Sequence, residues 1–259
     1  MDTKFWGPPG WKLLHVLTLT YEPSNATSMG KFLETLPYVL PCKFCRASLT
    51  DYYRELPFQS ALKSRSALTK WLWQIHSHVN DKLRAQGQTI GPDPSISEVK
   101  TIYGRYIPSG TPKPCESFPG WDFLFSIAYN HPLSVRNSKP MPQTPTILKD
   151  TSDEELNKWN MLAPAKRLIH WRKFWELLPQ VMPAPWASAW LKAKQEPILD
   201  SRRQTVAWLW RLRCRFADGA DPYTVICNKL SSHESGCSKS LRARTCRRLR
   251  QRQTQKRTK

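Results

Sequence analysis

Apolar residues recur at helical spacing along almost the whole of this 259-residue chain, and alternating strand patterns are scarce. Trp11, Leu14, His15, Thr18 and Leu19 share one helical face, as do Phe32, Leu33, Leu36, Val39 and Leu40. The pattern predicts an all-α fold, with helices over about 8–20, 28–40, 42–55, 64–85 and 95–105. Into that frame the sequence sets a Pro-Cys-x-x-Cys run, Pro41 to Cys45. Pro41 suits the first turn of the third helix, which places Cys42 near its N-terminus. Thiols at this spacing can close a disulfide across one turn and so exchange an electron pair reversibly. The following helix runs Trp71-Leu-Trp73-Gln-Ile-His76-Ser77-His78-Val-Asn80, with aromatic and amide groups on one face. Such a face can hold a flat aromatic cofactor beside the sulfurs. A redox pair next to a planar electron carrier points to an enzyme that makes disulfides.

The second half reads as a worn copy of the first. Phe32-Leu-Glu-Thr-Leu-Pro-Tyr38-Val-Leu-Pro41-Cys42-Lys-Phe-Cys45 aligns with Phe174-Trp-Glu-Leu-Leu-Pro-Gln180-Val-Met-Pro183-Ala184-Pro-Trp-Ala187. Trp71-Leu-Trp-Gln-Ile-His76 aligns with Trp208-Leu-Trp-Arg-Leu-Arg213, and Trp11-Lys-Leu-Leu-His15 with Trp121-Asp-Phe-Leu-Phe125. Three segments in one order outweigh coincidence between Trp-rich amphipathic helices. The copy has lost the chemistry, because Ala184 and Ala187 replace the cysteines and Phe125 and Arg213 replace the histidines. It is expected to serve as a packing partner or docking surface, with residues 133–153 inserted between its first two helices.

Residues 5–83 resemble the Erv/ALR flavin-linked sulfhydryl oxidases. The likeness rests on Trp11-Lys-Leu-Leu-His15, Pro41-Cys42-Lys-Phe-Cys45 and His76-Ser-His-Val-Asn80-Asp-Lys82-Leu83, each weak alone and together at family spacing a strong signal. The resemblance implies a four-helix bundle with a short fifth helix, holding FAD in its mouth. It implies Cys45 as the flavin-proximal thiol and Cys42 as the outer one, exchanging with dithiol protein substrates. It further implies that electrons pass through the flavin to O2, giving H2O2. Gly7, Trp11, His15, Trp73, His76, Ser77, Asn80, Lys82 and Leu83 would line the FAD site, with Gly7 allowing close backbone approach. Ser77 stands where the family has Asn, so that hydrogen bond is lost or supplied by His78. Residues 84–107 hold no cysteine, as in compact members from large DNA viruses, and Lys100 or Tyr103 on the fifth helix is placed to reach the cofactor. The expected domains are a catalytic unit at 1–107, a linker at 108–120, a degenerate helical repeat at 121–227 and a disordered basic tail at 228–259. Family members commonly dimerise, so a homodimer or an intramolecular pseudo-dimer is expected.

The net charge of +20 bears mainly on the tail, since residues 237–259 hold ten basic side chains and no acid. Such a run suits salt-sensitive, non-specific contact with nucleic acid, an anionic surface or a nuclear import receptor. Cys237 and Cys246 are a candidate shuttle pair on a flexible arm; the bland alternative is a pair of free thiols. A zinc knuckle from Cys227, His233, Cys237 and Cys246 would have a non-standard spacing, and no metal site is expected. The opening residues lack the apolar core of a secretory signal, and no run is long enough to span a membrane. A cytoplasmic protein is therefore expected, in host cytoplasm, viral factory or virion, with the nucleus open to it through the tail. The compact pattern points to disulfide formation in virion proteins. The competing class is a non-enzymatic scaffold that binds nucleic acid or a partner through the tail, its Cys-x-x-Cys merely structural.

Overall fold

The computed structural model describes residues 1–108, 118–134, 139–193, 197–216 and 220–234. Among these the chain is helical, with no strand. The first half forms α1 (Thr3–Leu19), α2 (Ala26–Val39), α3 (Lys43–Glu55), α4 (Arg65–Ala85) and α5 (Ile96–Gly104). The second forms α6 (Trp121–Tyr129), α7 (Asp153–Lys158), α8 (Pro164–Val181), α9 (Ala184–Ala193), α10 (Arg202–Phe216) and α11 (Tyr223–Ser232).

Local chemistry sets the starts of these helices. Asp2 caps α1 by accepting the Lys4 N–H, and Ser64 caps α4 by accepting the Ala67 N–H. Ser95 and Glu98 cap α5 reciprocally, each side chain taking the other's backbone N–H. At α3 the cap is Cys42 itself, whose sulfur accepts the Cys45 N–H at 3.4 Å. Pro41 therefore lies just outside the helix rather than in its first turn, because Leu40 before it takes an extended conformation.

One continuous hydrophobic core runs through both halves. Within the first, α1 packs on α4 and α5, and α2 on α3; within the second, α6 packs on α10 and α11, and α8 on α9. The halves meet through α2 against α8 and α1 against α6. Under the sequence alignment these contacts are reciprocal. Phe32 and its counterpart Phe174, both fully buried, stack on each other with centroids 5.4 Å apart. Tyr38 stacks on His170, and their counterparts Gln180 and Ser28 hydrogen-bond at 3.0 Å. A Cβ on Gly10 would meet Phe123 at 3.0 Å, while one on Gly120 would meet Leu13, the counterpart of Phe123, at 2.9 Å. Each helix pair approaches closely where a glycine leaves room.

Two boundaries differ from expectation. Helix α11 continues through Ser232 with Leu230 buried, so the chain is ordered past residue 227. Phe118, inside the expected linker, is buried and packs edge-on against Trp121 and Trp186. The insertion between α6 and α8 runs past the expected 133–153 and includes α7, which lies along α3. Arg54 pairs with Glu154 and Glu155, Lys158 pairs with Asp51, and the buried Asn157 donates to Pro37 O at 2.9 Å.

Candidate functional site

Cys42 and Cys45 lie at the N-terminus of α3, both partly exposed and packed against the rim of the core. They are unbridged here and share a hydrogen bond. The Cys45 thiol and N–H both donate to Cys42, and Arg46 adds positive charge, so against the cost of burial the Cys42 thiol falls to about 6. Cys45 moves up, because it donates that hydrogen bond and is itself buried; Lys82 partly offsets the rise. Cys42 is therefore the thiolate of the reduced pair. Lys82, on α4, donates to Ser48 one turn beyond Cys45, which sets its ammonium along the α3–α4 wall.

Helices α1, α4 and α5 bring four rings together. Trp11 stacks on His76 at 3.9 Å, and His15 stacks on Tyr103 at 4.1 Å. Nε2 of His15 and Nδ1 of His76 are hydrogen-bonded at 3.1 Å. Burial, aided by His76, pushes His15 down to about 3, and burial pushes His76 down to about 4 against the pull of Asp93. Both imidazoles are therefore neutral near pH 7, and one proton serves the contact between them. Nδ1 of His15 is then left buried without a partner, whichever tautomer holds. An orphaned buried nitrogen of this kind calls for a hydrogen-bonding ligand.

Asp93 organises the adjoining loop. Its carboxylate accepts from Asn80 at 2.6 Å and Arg84 at 2.8 Å, and Ser77 also bonds to it; Arg84 is the main reason its pKa is depressed. Trp73 donates to Pro94 O at 2.8 Å. Asn80, Ser77 and Trp73 thus hold the loop leading into α5 rather than standing open. His78 stacks on Tyr52 of α3 at 5.3 Å, one turn before Lys82 on the same face of α4. Lys100 is exposed on α5, one turn from Tyr103, and no contact draws it toward the rings. A Cβ added at Gly7 would meet nothing within 4 Å, so no part of the chain itself requires glycine there. Leu83 is partly buried on α4. Cys237 and Cys246 lie outside the described residues.

Residues 9–98 match the model of the Erv1/Alr family. Over 86 residues the chain is 37% identical to a probable FAD-linked sulfhydryl oxidase of Acanthamoeba polyphaga mimivirus, covering 31% of this chain and 59% of that protein. It is 29% identical over 110 residues to a putative FAD-linked sulfhydryl oxidase of Invertebrate iridescent virus 3, covering 41% of this chain and 68% of that one. It is 33% identical over 87 residues to the mitochondrial FAD-linked sulfhydryl oxidase ERV1 of Saccharomyces cerevisiae, covering 32% of this chain and 45% of the yeast protein. The chain thus spans about three fifths of the mimivirus relative's length and under half of the yeast one's. No solved structure matches it. The matched segment contains both thiols and the Trp11, His15 and His76 rings; Tyr103 lies just beyond it.

Sequence reasoning missed Asp93, Arg46 and Asn160. Asp93 stands in a Gly-Pro-Asp-Pro loop that reads as a turn, and its partners lie a helix away. Arg46 Nη2 donates at 2.7 Å to Asn160, from the other half of the chain. No local pattern signals that contact.

Proposed function

We propose that this protein is an FAD-dependent thiol oxidase that forms disulfides in protein substrates. The observation that carries the reading is a Cys-x-x-Cys pair with one activated thiol at a helix N-terminus, reached by Lys82 from α4, the helix whose His76 joins the stacked rings around an unpartnered imidazole nitrogen. The residues present fit a planar cofactor. Trp11, Trp73 and His76 are partly exposed aromatic surface, His15 Nδ1 awaits a partner, and Lys82 supplies positive charge near Cys45. Bound FAD would take the electron pair from the Cys42–Cys45 dithiol and deliver it to O2, giving H2O2. The protein's own part is substrate exchange and orientation. A substrate thiolate attacks Cys42, the outer sulfur, and the bond to Cys45 breaks. The neutral His15–His76 pair holds the ring cluster without bringing a charge into it.

The second half is read as a degenerate repeat occupying a partner subunit's place. The reciprocal contacts across α2–α8 and α1–α6 support this, since a two-fold interface pairs residue i with j and j with i. So does the match between Trp73 donating to Pro94 O and Trp210 donating to Asp221 O. Where Trp11 stacks on His76, Trp121 instead faces the Arg213 guanidinium at 5.9 Å. Trp190, at the position of Ser48, packs on Trp121 and Phe216, so protein side chains fill the copy's mouth. The viral relatives support virion proteins as substrates, acted on in host cytoplasm.

The test is direct. Purified protein should be yellow, carry FAD and oxidise dithiothreitol with release of H2O2. Cys45→Ser should abolish turnover and keep the colour. Colourless protein that cannot be loaded with FAD would refute the assignment.

A further inference from the structure

We propose that the segment joining α6 to α8 is a working part of the thiol centre: Asn160 holds the Arg46 guanidinium beside Cys42, and that buried positive charge makes Cys42 a good leaving group. This rests on the thiol-exchange reading above and deepens it.

Arg46 is 3% exposed, one helical turn past Cys42, and its N–H donates to Cys42 O at 3.0 Å. Its Nη1 donates to Leu40 O at 3.0 Å and its Nη2 to Asn160 Oδ1 at 2.7 Å, while Nε has no partner. Both acceptors are neutral. Among the described residues no carboxylate pairs with Arg46, so a buried cation stands without an acidic counter-ion. Burial lowers it to about 10, with the two thiols pulling it back up, so it stays charged near pH 7. The anion it can meet is the Cys42 thiolate. Arg167, 7% exposed at the start of α8, faces Arg46 as a second cation and brings no neutralising charge. From α4, Lys82 acts on Cys45, and the amino terminus adds a weaker positive field at Cys42.

The insertion is built to fix this contact. Asn160 takes a left-handed conformation, φ 59°, which asparagine tolerates better than most residues. Its Nδ2 donates to Lys139 O at 3.0 Å, and that carbonyl also accepts Lys43 Nζ at 2.8 Å. Met141 N–H closes the strap by donating to Trp159 O at 3.0 Å. The carboxamide therefore reaches Arg46 from a strap tied to both ends of α3, the other end being the Arg54 ion pairs.

The charge matters at a defined step. A substrate thiolate first attacks Cys42 Sγ, forming a mixed disulfide and releasing Cys45 as a thiol or thiolate. The substrate's second thiolate then attacks the substrate sulfur of that bond. The substrate disulfide forms, and the electron pair leaves with Cys42 as thiolate. A leaving thiol of lower pKa departs faster. Arg46 is thus a positioning residue for the second exchange, and Asn160 positions Arg46.

The test uses the full chain, reduced, with the pH dependence of iodoacetamide labelling of Cys42 read by peptide mass spectrometry. This needs no oxidase turnover. Wild type should label with a midpoint near 6. Asn160→Gly, which accepts the positive φ and removes only the carboxamide, should raise it, as should Arg46→Gln. A rise of one unit would slow labelling at pH 6 about fivefold. Arg46→Lys should restore much of the shift. If Arg46→Gln does not fold, Asn160→Gly carries the test. Equal midpoints in wild type and the folded variants overturn the proposal; a shift in Arg46→Gln with none in Asn160→Gly overturns the insertion's part. Loss of dithiothreitol oxidation by wild type, with the labelling shifts intact, would refute the oxidase reading and leave this one standing.

Discussion

Truncating Phe174 to alanine tests whether the second half is structurally part of the active one. Phe174 and Phe32 are each fully buried and stack across the α2–α8 seam. Removing the ring deletes apolar burial and leaves a cavity that neighbours from two helices cannot collapse into freely. Phe→Ala changes in such sites cost about 3–5 kcal/mol. A protein of this size has a urea slope near the upper end of about 1–3 kcal/mol per molar, so the midpoint should fall by about 1–2 M.

The assay is urea unfolding followed by two probes, far-UV circular dichroism for the whole chain and flavin fluorescence for the first half. Because one core spans both halves, the two probes should give one transition, and Phe174→Ala should lower both midpoints together. Phe32→Ala should do the same to a similar extent. A flavin transition that stays at its wild-type midpoint while the helical signal falls early would refute the reasoning. It would mean that the halves are separately stable and that the seam is a docking contact only.

Two further outcomes follow from the site. His15 and His76 are held near 3 and 4 against about 6.5 unfolded, so the unfolded chain binds more protons between those values. Stability should therefore be full above about pH 6.5 and fall as pH drops toward 4, with a urea midpoint series at pH 7.5, 6 and 5 showing the loss; His76→Gln should flatten it, and an equal slope in that variant would remove the pair as its source. Asp93→Ala should release Ser77, Asn80 and Arg84 and loosen the loop that Trp73 holds. FAD affinity measured by fluorescence titration should weaken about tenfold (one such hydrogen bond to a charged group contributes about 1.5–3 kcal/mol), and unchanged affinity would show that the loop does not shape the cofactor site.

The helices were legible because their apolar residues recur at helical spacing, and the expected bounds 64–85 and 95–105 fall within a residue of α4 and α5. The aromatic cluster was legible for a related reason: Trp11 and His15, and Trp73, His76 and Asn80, lie at helical spacings that put each set on one face. The tail boundary misled because a strongly basic average over 228–259 hid the single buried Leu230 that closes α11. Arg46 and Asn160 were invisible for a deeper reason. An arginine after a cysteine looks like a surface residue until a segment over a hundred positions away covers it.

That last contact bears on why a half with alanines in place of the Cys-x-x-Cys pair would be retained. If the second half only filled a hydrophobic seam, its polar insertion would have no reason to lie along α3. Yet Lys158 and Asn160 face that element, meeting Asp51 and Arg46, and Asn157 beside them meets Pro37 O at the end of α2. Meanwhile Trp190 and Phe216 close the copy's own mouth with side chains that no flavin could share space with. The two facts fit one account. On the proposed reading the copy, its pocket filled, would contribute a rigid aromatic block, and its insertion would carry polar groups back to the Cys42 centre. A second half that served packing alone could be replaced by any apolar surface matching α2; this one could not, because Cys42 would lose the residue that holds its cation.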